Sequence, residues 1–158
     1  ASARDSSLHY PPKSQEELKQ SLTRLQYEVT QHAATEPPFA NDYHDSEEEG
    51  IYVDITTGEP LFSSQEKFDS GCGWPSFSAP INRGLLQELQ DDSFGLNRVE
   101  VRAQNSSAHL GHVFPVGPKE AGGLRYCINS SALRFIPVAE MEREGYGYLL
   151  PYLKKGKH

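Results

Sequence analysis

The sequence predicts one sheet-dominated domain, and three observations carry that prediction. The 158 residues suit a single core of modest size. Thirteen glycines and eleven prolines accompany a 36% hydrophobic content, a balance that favours short strands and turns over a helical bundle. Helical periodicity is confined to the N-terminal part, whereas from Gly50 onward short apolar runs alternate with turn residues.

Residues 1–13 mix small, polar and proline residues without a period, and are expected to form a flexible arm before a single domain over 14–152. Ser14-Gln15-Glu16-Glu17 has the capping-box pattern, in which hydroxyl and carboxylate satisfy each other's backbone donors. Leu18, Leu22, Leu25 and Val29 then recur at helical spacing, so one stripe should face the core. Thr23 can cap a second short helix, and Pro37-Pro38 should end it.

Ile51 to Ile55, the turn at Thr57-Gly58 and Pro60-Leu61-Phe62 read as a hairpin. Leu85 to Leu89 fits either a helical turn or a strand. Arg98 to Arg102 alternates as a half-buried strand, and Leu124 to Phe135 alternates with the same period after the turn Gly117 to Gly123. Pro137 suits the first turn of a short C-terminal helix ending near Gly145, and 153–158 form a basic tail.

A net charge of −7 argues against a nucleic-acid partner, which would draw its affinity from clustered Lys and Arg. No apolar run reaches the roughly 18 residues that a spanning helix needs, so no membrane association is expected. The chain starts at Ala1 without an initiator Met, which suits a processed form or a domain cut from something longer. Two cysteines fit a structural disulfide in an exported protein or a catalytic pair in a reducing compartment equally well; a soluble chain is expected, and the compartment stays open, with the cytoplasm favoured over export.

In a strand, Arg125, Cys127 and Asn129 share one face while Leu124, Tyr126 and Ile128 share the other. A guanidinium beside a thiol favours the thiolate, so Cys127 is a candidate nucleophile; the alternative is a small buried core residue. His109 and His112 are three apart, which in a regular strand splits them between faces, but Gly111 permits a bulge that brings both rings to one side. No third or fourth ligand stands at recognisable spacing, so no metal is expected. Cys72, flanked by Gly71 and Gly73, sits on backbone free to move a thiol toward a partner, and either resolves an intermediate on Cys127 or forms a static bridge with it. Trp74, the one tryptophan, is core or an apolar wall for a ligand methyl.

Gly50-Ile51-Tyr52-Val53, Pro60-Leu61-Phe62, Gly71-Cys72-Gly73-Trp74-Pro75-Ser76-Phe77, His109-Leu110-Gly111-His112-Val113-Phe114 and Gly123 to Ser130 occur in one order. With them the chain resembles the B-type methionine sulfoxide reductases over about Ser14 to Tyr152. The resemblance implies two antiparallel sheets forming a small open barrel-like core, with N-terminal helices and a short C-terminal helix. It implies reduction of methionine-R-sulfoxide, free or in proteins, as a repair of oxidative damage. Cys127 would attack the sulfoxide sulfur and become a sulfenic acid, Cys72 would resolve it to a disulfide, and thioredoxin would recycle the bridge. His109, His112 and Asn129 would bind and protonate the sulfoxide oxygen, Arg125 would stabilise the thiolate, and Trp74 and Phe114 would receive the substrate methyl. A monomer without cofactor is implied.

Two positions depart from that pattern. Where many family members bind zinc with two Cys-x-x-Cys pairs, this chain has Asp54 with Thr57 and Ala103 with Ser106, which implies a zinc-free branch. Ser107 stands where an acidic residue is common, so no carboxylate is expected to orient His109. Cys, His and Asn together also compose a hydrolase or acyltransferase site, but that reading leaves Cys72 without a task. A disulfide-stapled binding module leaves the histidines and Arg125 without one.

Overall fold

In a computed structural model of the chain, residues 10–39, 41, 43, 46–68, 70–92, 95 and 98–154 are described. Most of the expected arm and tail, 1–9 and 155–158, lie outside them. Helices α1 (Gln15–Ser21) and α2 (Arg24–His32) each start in a full capping box, Ser14 with Glu17 and Thr23 with Gln26. Each box contributes about 1 kcal/mol, and the second divides the apolar stripe. Leu18 and Val29 are buried, but Leu25 faces solvent at 45% exposure. Contrary to the sequence reading, α2 ends at Ala33, whose left-handed φ of 56° turns the chain before Pro37 is reached.

The strands are β1 (Gly50–Asp54), β2 (Pro60–Ser63), β3 (Lys67–Phe68), β4 (Ser76–Phe77), β5 (Leu86–Asp91), β6 (Arg98–Ala103), β7 (His109–Phe114), β8 (Arg125–Ile128) and β9 (Leu133–Pro137). They make two open antiparallel sheets, one ordered β2-β1-β9 and the other β3-β4-β8-β7-β6-β5. The predicted mainly β, two-sheet architecture holds, and the core is open rather than a closed barrel. Aromatic rings join the sheets: Phe62 stacks on Phe77 at 4.4 Å between centroids, and Tyr52 packs edge-on to Phe77 at 5.2 Å. Such contacts add to burial energies of about 1.5–3 kcal/mol per large apolar side chain.

Three boundaries differ from the sequence reading. Leu124 to Phe135 is two strands in different sheets, separated at Ser130–Ala132 by a 3-10 turn. The Glu36 carboxylate causes the break by accepting from the backbone N–H groups of Ser130 and Ser131, which takes them out of any ladder. Leu85 closes a 3-10 turn whose start Asn82 caps, and β5 begins only at Leu86. Pro137 precedes rather than enters α3 (Val138–Met141), and α4 (Leu150–Lys154) follows the 3-10 turn Gly147–Leu149. Tyr10 packs with Ile51, Val53, Ile136, Met141 and Tyr146, and its carbonyl accepts from Asn105. No helix among the described residues is long and apolar enough to cross a membrane.

Candidate active site

The outer face of the six-stranded sheet gathers most of the candidate residues. Directly opposed residues of antiparallel strands share a face. Ser76 opposes Cys127, Cys127 opposes His112, and His112 opposes Glu100, so one row crosses β4, β8, β7 and β6. The next row places Phe114 against Arg125, whose guanidinium lies 4.8 Å over the ring. The inner face of the same strands holds Phe77, Tyr126, Val113 and Val101 in the core.

The histidines converge as the glycine between them suggests. Register skips Leu110, Val101 opposing Gly111 while Arg102 opposes His109, and this bulge turns His109 onto the face of His112. The rings lie 5.8 Å apart. Gly111 is required for a second reason: a Cβ there would stand 2.0 Å from the Cys127 carbonyl oxygen.

Each imidazole rests on a carboxylate that the sequence reading missed. Glu100 Oε2 lies 2.6 Å from His109 Nδ1 and 2.8 Å from Arg102 Nε. Asp91 Oδ2 lies 2.7 Å from His112 Nε2, with Arg98 at 3.6 Å. His109 is 2% exposed, and desolvation holds its pKa below the ordinary value against the opposing pull of Glu100. A neutral ring donating Nδ1–H to Glu100 leaves its buried Nε2 as an acceptor with no partner among the described residues. Glu100 thus does what Ser107 cannot. Its sequence signal was the alternation of Arg98 to Arg102, which puts Glu100 on the polar face; Asp91 gave none, because its reach depends on the β5 register.

Cys72 is carried to Cys127 by the Gly71–Pro75 loop. The sulfurs stand 3.1 Å apart, both cysteines free. Gly71 and Gly73 have φ of +77° and +92°, and a Cβ on Gly73 would meet Pro38 at 2.6 Å. Phe39 N and Asn41 Nδ2 each donate to the Gly73 carbonyl at 2.8 Å, so residues after α2 clamp the loop. Ser76 Oγ, fully buried, lies 3.3 Å from Cys72 Sγ, 3.9 Å from Cys127 Sγ and 2.6 Å from Ser70 Oγ.

The two thiols are shifted in opposite directions, and the one pushed down is Cys72 rather than Cys127. The hydrogen bond from Cys127 lowers the Cys72 pKa to about 4, with the Ser70 and Ser76 hydroxyls adding to it and partial burial opposing. The same hydrogen bond pushes Cys127 up, helped by burial and by the Cys72 charge, and Arg125 only partly offsets this. The hydrogen bond between the sulfurs thus holds Cys72 down and Cys127 up, and the deeper burial of Cys127, 9% exposed, acts in the same direction on that thiol.

Asn129 and Trp74 meet through Glu36, another residue without a sequence signal. Asn129 Oδ1 accepts from Glu36 N at 3.0 Å and its Nδ2 donates to the Leu110 carbonyl at 3.0 Å, so the side chain straps the segment after α2 to β7. Trp74 Nε1 donates to the Glu36 carbonyl at 3.0 Å. Glu36 therefore fixes both the loop side and the strand side of the site.

Asp54 and Ser106, from the two turns where the resemblance would place cysteine pairs, meet in a hydrogen-bonded clamp. Ser106 Oγ donates to Asp54 Oδ2 at 2.6 Å, while Thr56 N and Oγ1 donate to Oδ1 at 2.8 and 2.6 Å. These residues do not fit a zinc ion: both carboxylate oxygens are occupied and Ala103 offers no donor. A family model described as the SelR domain matches residues 22–137 of the chain.

Proposed function

Because the chain belongs to the SelR family, the B-type methionine sulfoxide reductases, it is an oxidoreductase that reduces methionine-R-sulfoxide, and we propose that it does so through Cys127 and Cys72. One observation supports this most: two free sulfurs 3.1 Å apart, one fixed on β8 beside His112, the other on a glycine-flanked loop.

Charge first passes between the sulfurs. The Cys127 proton moves along the S–H···S contact to Cys72, and Arg125 favours the anion left behind. The Cys127 thiolate attacks the sulfoxide sulfur; the oxygen passes to the Cys127 sulfur as the substrate S–O bond breaks, methionine leaves reduced by two electrons, and Cys127 is oxidised to the sulfenic acid. The oxygen takes one proton, for which His112 in its protonated form, its Nε2 held by Asp91, is the donor; the neutral His109 ring stands 5.8 Å away as its neighbour. Trp74 and Phe114 form apolar walls for the methyl group, and Asn129 acts by fixing the end of β8.

Cys72 then attacks the Cys127 sulfur, an S–S bond forms, and water departs. A dithiol reductant of the thioredoxin class returns the pair to thiols. The hydrolase alternative leaves this sulfur pair unexplained. The test is stoichiometric: reduced protein without added reductant should release one methionine per chain from the R epimer, none from the S epimer, and finish with a Cys72–Cys127 disulfide. Methionine release with both thiols still free would sink the resolving step.

A further inference from the structure

The Ser76 hydroxyl stands where the second chemical step needs a proton to move, and we propose that it is a catalytic residue, the proton shuttle that lets Cys72 displace water from the Cys127 sulfenic acid. This inference rests on the two-cysteine reading above and adds a residue to it.

The geometry comes from the fold. Ser76 opposes Cys127 in the β4–β8 register, so its side chain stands on the same face beside that sulfur. It is fully buried, yet its oxygen is within 3.3 Å of one sulfur and 3.9 Å of the other. Ser70 Oγ at 2.6 Å and the Trp74 carbonyl at 3.1 Å fix its position. A buried hydroxyl with only a structural duty needs one such partner; this one also touches both reacting atoms.

The step balances without any further reactant. Cys72 begins as the thiol, having taken the Cys127 proton in the first step. As its sulfur attacks, the S–H proton passes to Ser76 Oγ. The Ser76 O–H hydrogen passes at the same time to the sulfenic oxygen. The S–S bond forms, the S–O bond breaks, water leaves, and the serine is unchanged. Ser70, half-buried at the loop, orients Ser76 and is a positioning residue.

The experiment separates the two steps in single turnovers of the full chain. Methionine release reports the first; loss of free thiol and trapping of sulfenic acid by a dione reagent report the second. Ser76→Ala should slow disulfide formation by about 100-fold, so that sulfenic acid accumulates after methionine has left, and Ser76→Thr, which keeps the hydroxyl, should restore most of the rate. Ser70→Ala should slow the same step by about 10-fold and serves as the probe should the buried alanine variant fail to fold. A disulfide that forms in Ser76→Ala or Ser70→Ala as fast as in the unaltered protein overturns the proposal, as does an equal deficit in Ser76→Ala and Ser76→Thr. Absence of methionine release from the unaltered protein would instead overturn the two-cysteine reading on which the proposal stands.

Discussion

The two cysteines sit on backbones of opposite character. Cys127 lies within β8, bonded on both sides by β4 and β7, where the packing of Tyr126 and Ile128 beneath leaves its Cα little freedom. Cys72 lies on a loop of two left-handed glycines held to the segment after α2 by hydrogen bonds to the Gly73 carbonyl. A sulfur that must meet a substrate in fixed relation to two imidazoles needs the first setting. A sulfur that must yield to the substrate and then return needs the second.

The largest expected effect tests which sulfur does which task. Cys127→Ser should lower methionine release by more than about 1,000-fold. Cys72→Ser should keep the first turnover and stop with a sulfenic acid on Cys127. Brief alkylation at pH 6 should label Cys72 ahead of Cys127, because Cys72 titrates near 4 while the shared hydrogen bond pushes Cys127 up. Preferential labelling of Cys127 would mean that the loop is open in solution and that the anion belongs to the strand.

Next comes the support behind the strand. Glu100→Gln removes the carboxylate that fixes His109 and binds Arg102, and should lower the rate of methionine release by about 10–100-fold with the disulfide step unchanged. Asp91→Asn should act in the same direction and more weakly, since His112 is less buried than His109. If both variants slow disulfide formation and spare methionine release, the histidines serve the loop.

How legible each setting was in sequence follows from the range of the forces behind it. Helix starts were legible because capping is local: Ser14 and Thr23 announce themselves within three residues. Cys72 and Cys127 were legible from flanking glycines and strand alternation, and the convergence of His109 and His112 from Gly111. The break between β8 and β9 was not, because its cause, Glu36, lies 94 residues away from Ser130. The charge at Cys72 was hidden for the same reason: it depends on a sulfur 55 residues distant. Leu25 fits a helical stripe in sequence, yet the capping box at Thr23 divides that stripe between two helices, burying Val29 and leaving Leu25 outside.

The loop itself offers an internal control of moderate size. Gly73→Ala both strains a φ of +92° and drives a Cβ into Pro38, so it should destabilise by about 2–4 kcal/mol and slow disulfide formation by displacing Cys72. Gly71→Ala meets open space and should cost only about 1 kcal/mol. Equal effects in thermal unfolding and thiol-loss assays would show that strain, not the clamp on residues 38 and 39, governs this loop.

The smallest effect concerns how the strand side tolerates acid. His109 has a folded pKa below its ordinary 6.5 because desolvation outweighs Glu100, with His112 and Arg102 pressing in the same direction as burial. The unfolded chain therefore binds this proton more readily than the folded one. The His109 contribution to stability is whole above the unfolded value and shrinks as pH falls below about 6.5. Melting temperature should accordingly drop between pH 7 and pH 5, and His109→Gln should flatten that slope even if it lowers stability at pH 7. An undiminished slope in the variant would move the acid sensitivity elsewhere, with Asp54 no candidate: burial raises its pKa, so protonation below pH 7 relieves a cost and acts with the opposite sign.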